Sequence, residues 1–570
     1  MCIGDRADAL EAAADLATAE AGRRGSPSGS STAEVPARAG ADRGDGLSPR
    51  AAQVRDAYRA DGPVLPLGAL VEAGTAEPRA QVGLPLRSMN RHGLVAGATG
   101  TGKTRTLQLM TEGLARAGVP VFVTDLKGDL SGLASPGTDG DRLRERAASV
   151  GQEWTPTVFP VEPYTLGGLG TGTPIRTTVT DFGPLLLAKV LGLNATQESS
   201  LGLVFHWADQ QGLALLDLKD LQAVIGHLVS EEGRAELQDI GGLSRATAGV
   251  ILREVVALQA QGGDVFFGEP AFDTADLLRT TDTPAGRWGV VSALELPGVQ
   301  DRPALFSTFL MWLLADLFQS LPEVGDPERP ALVFFFDEAH LLFSDASKDF
   351  LAQVTQTVRL IRSKGVGVVL VTQTPKDVPP DVLAQLGNRV QHALRAHTPD
   401  DEAALRATAR TFPRSDLDLA ELLTTLGTGE ALITVLSEDG APTPVAHTRL
   451  RAPESSMSPA PEERLRELVA ASPVAARYGS PVDRESAYEL LTARTAQARA
   501  DAAADQDAAR RAAELEEVER SMRREPGTVP RRAPRAARRR DDGPLDALLR
   551  SAGTALGREI TRTIFGTRRR

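Results

Sequence analysis

Between residues 63 and 450, short apolar runs alternate with stretches whose apolar side chains recur every three to four positions. His92-Gly-Leu-Val-Ala-Gly97 is an apolar run that ends in glycine, Leu107, Met110 and Leu114 follow at helical spacing, and 119–124 is apolar again. That is strand, turn, helix, strand. Further strands are predicted at 157–161, 289–294, 331–336, 366–372, 390–396 and 430–436, with helical patterns between them. Such alternation predicts an α/β fold with a mostly parallel sheet covered by helices. Within 181–262 only helical patterns occur, at 182–193, 197–211, 220–232 and 247–261, so this stretch is read as an inserted helical subdomain. The most membrane-like run, 304–318, is fifteen residues long and contains Asp316. It is too short to cross a bilayer and is expected to be a buried helix.

The flanks have a different character. Residues 1–62 are rich in Ala, Gly, Ser, Arg and Asp and are expected to be disordered. After the core at 63–451, 452–484 reads as a Pro/Ser-rich linker, 485–525 as an Ala/Glu/Arg-rich helix with little to bury, and 526–543 as an Arg/Pro-rich tether. The end, 544–570, is predicted to be a short amphipathic helix with a Leu545, Leu549, Leu556, Ile560 stripe, docking on the core of its own or a neighbouring subunit.

At 570 residues the chain exceeds what one hydrophobic core usually organises. Only 4% of its residues are aromatic, so the core must be mostly aliphatic. The single cysteine, Cys2, excludes an internal disulfide, and no Cys/His cluster has zinc spacing. Acidic residues interrupt the first 22 positions where a signal peptide needs an apolar stretch, so a cytoplasmic protein without a membrane span is expected. The net charge of -12 conceals fifteen Arg against five acidic residues in 520–570. Lysine is scarce, with seven in the chain, all between 103 and 376. A motif built on one of them therefore stands out.

Gly97-Ala98-Thr99-Gly100-Thr101-Gly102-Lys103-Thr104 fits G-x-x-x-x-G-K-[ST], after a predicted strand and opening a helix. Its glycines allow successive backbone N–H groups to turn inward around the phosphates of ATP, with Lys103 reaching the β- and γ-phosphates and Thr104 completing a Mg²⁺ shell. Phe334-Phe-Phe-Asp-Glu-Ala-His340 is an apolar run ending in two carboxylates. Asp337 is assigned to the metal and Glu338 to polarising the attacking water, and strand alternation would point them to opposite faces. Gln373, ending the 366–372 strand, is a candidate γ-phosphate sensor. Arg395, and more weakly Arg389, are candidates for an arginine finger acting on a neighbouring subunit. Asp125 and Lys127, in Thr124-Asp-Leu-Lys-Gly-Asp129, follow a strand on the side where ligands bind and are near-site candidates.

Taken together, HGLVAGATGTGKT, VTDLKGDLSGL, FFFDEAHLLF, VVLVTQTP and LGNRVQHALRAHTP, in that order, resemble the bacterial HerA-like helicases of the FtsK–HerA superfamily of P-loop motor ATPases. The resemblance implies a RecA-like core with the acidic strand beside the P-loop strand, a hexameric ring of identical subunits, and ATP-driven movement of DNA. It also implies a possible DNA-processing partner protein, although no counterpart of the N-terminal β-barrel of archetypal HerA proteins is visible. The DEAH tetrad alone would suit a superfamily 2 helicase, but the Ser-Ala-Thr and Q-x-x-G-R-x-G-R motifs of that class are absent. An ATPase that energises a secretion or conjugation apparatus and a nucleotide-gated scaffold with little turnover are the other readings.

Overall fold

The computed structural model describes residues 46–237, 240–296, 303–343 and 348–522. Its strands are β1 (Val64–Glu72), β2 (Thr75–Pro85), β3 (Gly93–Ala96), β4 (Val121–Asp125), β5 (Val161–Leu166), β6 (Thr173–Ile175), β7 (Thr280–Thr283), β8 (Gly286–Gly289), β9 (Val291–Glu295), β10 (Leu332–Phe336), β11 (Val366–Thr372), β12 (Asn388–Gln391), β13 (Glu430–Thr434) and β14 (Ala446–Leu450). Among the described residues, twelve of them form one sheet in the order β2-β1-β14-β13-β12-β3-β11-β10-β4-β9-β5-β6, while β7 and β8 pair separately. Every pair from β12 to β6 is parallel, and every pair from β2 to β12 antiparallel.

The parallel centre has the residues that burial on both faces demands: every position of β10 and β11 is buried. Alternation then divides the core. Phe334, Phe336 and Leu370 pack on one face with the helical insertion, whereas Val333, Phe335, Val369 and Val371 pack on the other with the helix Lys103–Arg116. The insertion contains the helices Ala195–Gln210, Leu218–Leu228 and Arg245–Ala260, the first two opened by capping boxes at Asn194/Gln197 and Asp217/Asp220. They bury Leu201, Val204, Ile225 and Ile251 together. The apolar run at 304–318 lies in the helix Pro303–Ser320, which packs in the same core through Phe306, Phe309 and Leu313. No helix among the described residues is long and apolar enough to cross a membrane.

The α/β, RecA-like architecture is as expected, but three expectations need correction. First, the acidic strand β10 does not adjoin the P-loop strand β3, because β11 lies between them. β11 is as apolar as β10 and equally suited to a central position, and its place there carries the Gln373 turn between the phosphate loop and the carboxylates. Second, 452–484 is not a free linker. Glu112 accepts hydrogen bonds from the backbone N–H of Glu454 and Ser455 at 2.8 and 3.0 Å and from the Ser455 hydroxyl. Downstream, Tyr478 is buried against Phe272, and its hydroxyl donates to Asp276 at 2.7 Å. These anchors are polar or isolated, so they leave no apolar period. Third, the low-complexity reading of 1–62 ends too late. The helix Pro49–Ala57, capped by Ser48, buries Ala51 and Val54, and Tyr58 donates to Ile433 O.

By its internal contacts the chain divides into a unit ending at Thr495 and a second beginning at Ala496. The helix Ala487–Met522 spans that boundary: Ala487 and Leu491 are buried in the first unit, and its residues from Ala496 to Met522 are exposed. The expected disordered start up to residue 45, the Arg/Pro-rich tether and the C-terminal amphipathic helix lie outside the described residues.

Candidate active site

The loop 97–104 joins β3 to the helix Lys103–Arg116 and is stapled to its neighbours by its backbone. Gly97 N donates to Thr372 O at 3.2 Å, Ala98 N to Ala393 O at 2.8 Å, and Thr101 O accepts from Gly429 N at 3.1 Å. Only glycine fits at 97, since a Cβ there would lie 2.4 Å from the Cβ of His392. Gly100 and Gly102 take φ of 78° and 114°, conformations that β-carbon-bearing residues rarely adopt. His392 is buried and bridges Thr106 Oγ1 at 2.8 Å and Glu430 O at 3.0 Å. Burial pushes its pKa down to about 4, so it serves as a neutral tie behind the loop.

Lys103 folds back over this loop, donating to Gly97 O at 2.7 Å and Ala98 O at 3.2 Å. Burial lowers its pKa, against the pull of Glu338 and Asp337. Lys103 thus shares one electrostatic neighbourhood with both carboxylates. Thr104 follows as the second residue of the helix and is half-buried.

β10 stops at Phe336, so Asp337 and Glu338 stand in the turn beyond it and strand alternation does not separate them. A backbone switch does: Glu338 takes φ of 47°. Such a conformation in a non-glycine residue persists only where its surroundings enforce it. Here Asp337 N donates to Thr124 Oγ1 at 3.0 Å, Glu338 N to Asp337 Oδ1 at 2.9 Å and Ala339 N to Val371 O at 2.8 Å. Burial, reinforced by the adjacent Glu338 charge, pushes the pKa of Asp337 up to about 6. Glu338 is also buried, which raises its pKa, but the hydrogen bond and charge of Lys127 prevail and hold it below the usual range. Lys127 Nζ lies 2.9 Å from Glu338 Oε1, and His340 Nδ1 lies 3.5 Å from Oε2.

Gln373 is exposed at the end of β11, and its side chain reaches Glu338. Its turn is fixed by Asp377, which accepts from Thr372 Oγ1 at 2.9 Å and Thr374 N at 3.1 Å. An open cavity of about 470 Å³ lined by His340, Phe343, Gln373, Thr374 and Asp377 gives solvent access beside the carboxylate. The structure thus brings Lys103, Asp337, Glu338 and Gln373 together. It does not bring the arginines to them: Arg389 donates to Thr411 O at 3.3 Å, and Arg395 is exposed beyond the end of β12. Of the two near-site candidates, Lys127 enters the site, whereas Asp125 shapes the loop by accepting from Leu130 N at 2.8 Å. His392 and Thr124 were not singled out in the sequence. A histidine just beyond a short strand and a threonine near a strand end give no periodic signal.

The family model for the helicase HerA-like C-terminal region matches residues 71–570. A protein of Methanocaldococcus jannaschii named "Probable helicase MJECL08" is 29% identical over 150 residues, which is 25% of this chain and 28% of that relative's length. Among solved structures, the plasmid coupling protein TrwB in complex with a non-hydrolysable GTP analogue aligns at a TM-score of 0.47 and 16% identity, covering 72% of this chain and 94% of its own. VirB4 of Thermoanaerobacter pseudethanolicus aligns at 0.41 and 15%, covering 69% and 98%. With a glycine-rich loop, a lysine on it and a carboxylate pair set in a RecA-like sheet, and with the family pattern extending over most of its length, the chain belongs to the HerA-like helicase family.

Proposed function

We propose that this chain is the ATP-hydrolysing motor of a homo-oligomeric ring that moves DNA in the cytoplasm, with Gln373 sensing the γ-phosphate and Arg395 or Arg389 completing a neighbouring subunit's site. The observation that carries the reading is that β11 ties the glycine-rich loop to the carboxylate turn, its Thr372 O accepting from Gly97 N at 3.2 Å and its Val371 O from Ala339 N at 2.8 Å, which sets Lys103 and the Asp337–Glu338 pair at the same end of neighbouring strands. The loop's N–H groups and the helix N-terminus receive the β-phosphate, and Lys103 leaves its own carbonyls for the phosphate oxygens. Glu338 orients a water and takes its proton as the water oxygen bonds to the γ-phosphorus. The bond from that phosphorus to the bridging oxygen breaks, and ADP and phosphate leave.

The donors present fit Mg²⁺. Thr104 and Asp337 offer only oxygen, and a cation would relieve the burial that raises the pKa of Asp337. No cluster of three His, Cys, Asp or Glu among the described residues can hold a metal unaided, as suits an ion that shares its shell with phosphate and water. Bound there, Mg²⁺ would neutralise charge on the β- and γ-phosphate oxygens.

Phosphate release in Mg²⁺ and ATP tests the reading. Lys103→Ala should lose turnover and weaken ATP binding, whereas Glu338→Gln should lose turnover, by about a hundredfold or more, yet keep ATP bound. Wild-type turnover surviving in Glu338→Gln removes the assignment. Stimulation of the wild type by DNA, and rings with a DNA-filled pore in electron micrographs, test the motor and its substrate.

A further inference from the structure

The helix Lys103–Arg116 turns one side to the strap 452–460, and the two run in opposite directions. Arg116 pairs with Glu454, Glu112 accepts from Ser455 N at 3.0 Å, Gln108 Nε2 donates to Ser456 O at 2.8 Å, and Arg105 Nη2 donates to Met457 O. The strap therefore follows the helix from its last turn to its first. There it bends away: Ala460 N donates to Ser131 Oγ at 2.9 Å, and a Cβ at Gly132 would lie 2.3 Å from Ser456 O and 2.5 Å from Ser458 O. The bend, Met457 to Pro459, is exposed, and Met457 itself is 43% exposed. Beside it the Arg105 guanidinium is held flat by two acceptors, since Nη1 also donates to Gln108 Oε1 at 3.0 Å.

The open end of the same helix faces the phosphate loop. Its first intrahelical bond runs from Thr106 N to Gly102 O at 3.0 Å, so the N–H groups of Lys103, Thr104 and Arg105 point out of that end. Arg105 thus has its backbone on the phosphate path and its side chain on the strap. It stands about 3 Å of helical rise beyond Lys103. On the ATPase reading the γ-phosphate faces the carboxylates. The loop is backed by Thr372, Ala393 and Gly429, so ribose and base leave from the other end of the triphosphate, over the first turn of the helix.

We propose that the strap's bend is the nucleobase platform of the site: the purine of a nucleoside triphosphate lies on the Met457 side chain and against the flat face of the Arg105 guanidinium. This rests on the ATPase reading above and adds a base contact to the phosphate and metal contacts. The chemistry suits a purine, because an unbranched, polarisable thioether adapts to an aromatic face and a planar guanidinium stacks on one. A strap that merely propped the loop would act on the phosphates, whereas a platform acts on the base alone.

The test is isothermal titration calorimetry of the full chain in Mg²⁺, comparing a non-hydrolysable ATP analogue with inorganic tripolyphosphate. The variants are Met457→Ala and Arg105→Lys, the second keeping the charge and losing the flat face. Met457→Ala should weaken the ATP analogue about two- to tenfold and Arg105→Lys about two- to fivefold, while tripolyphosphate stays within about twofold of the wild type. Met457→Leu, of similar size and apolar, should recover most of the loss. Equal weakening of both ligands overturns the platform and makes the strap a support of the loop. Unchanged binding of the analogue by Met457→Ala also overturns it, as does a wild type that binds tripolyphosphate as tightly as the analogue. A wild type that binds neither ligand overturns the ATPase reading itself. Met457 is exposed, so Met457→Ala should melt with the wild type. If Arg105→Lys melts lower, Met457→Ala decides alone.

Discussion

At the scale of single residues the site depends on positions where backbone and packing leave one choice. Gly97 is the clearest, because a methyl group there meets the Cβ of His392 at 2.4 Å and Thr101 Oγ1 at 2.9 Å. His392 cannot retreat easily, since its ring is tied to Thr106 and Glu430 and its N–H donates to Ala96 O at 2.7 Å. Gly97→Ala must therefore displace the phosphate loop, at about 1–3 kcal/mol. The expected result is a folded protein whose affinity for ATP falls by about tenfold or more, read by titration with a fluorescent nucleotide beside a thermal melt. Glu338 is the opposite case, a residue kept in an unfavourable conformation by the hydrogen bonds on either side of it. Such positions are invisible to hydrophobic patterning. The motif identifies which residues matter, but the turn beyond β10 that separates the two carboxylates appears only in the fold.

Among the elements, the helix Lys103–Arg116 is engaged near both of its own ends. Its start carries the phosphate loop, and its buried Glu112 holds the segment around Ser455. Burial pushes the pKa of Glu112 up to about 7. An unfolded glutamate titrates near 4.5, so the folded state binds the proton more tightly. Its contribution to stability is full below that value and is lost as pH rises through about 7. In Glu112→Gln this dependence disappears. The variant should therefore gain on the wild type by about 3 kcal/mol between pH 4.5 and pH 8, over a constant loss from the missing acceptor. Denaturant titrations at the two pH values measure it.

The same scale explains what the sequence reveals. Strands buried on two faces, such as Val366–Thr372, announce themselves as continuous apolar runs. β1 and β2 do not. They join through Ala73 and Gly74, both at positive φ, without the Asn-Gly or Asp-Gly pair that signals such a turn. The strap at 452–460 is held by hydrogen bonds to Glu112 and Gln108, two polar residues that helical patterning assigns to the solvent face.

At the scale of the whole molecule, neither candidate finger is turned to the carboxylates of its own subunit: Arg389 donates to Thr411 O at 3.3 Å and Arg395 is exposed beyond β12. If Arg395 acts in trans, mixing Arg395→Ala with Glu338→Gln subunits should restore part of the activity that each lacks alone. The restored activity comes from interfaces pairing one subunit's intact Glu338 with the next subunit's intact Arg395. Mixtures as inactive as both parents, under conditions where subunits exchange, move the finger elsewhere. The sheet order has a consequence for biosynthesis. β14 pairs with β1, Gly68 facing Leu450, and Gly429 and Ser455 support a loop and helix translated hundreds of codons earlier. A nascent chain therefore exposes its nucleotide motif long before it possesses the wall behind it. On the ATPase reading, the loop has all of its backing only once β14 and the strap beyond it have left the ribosome, so an unfinished copy would hold nucleotide more weakly than a complete one.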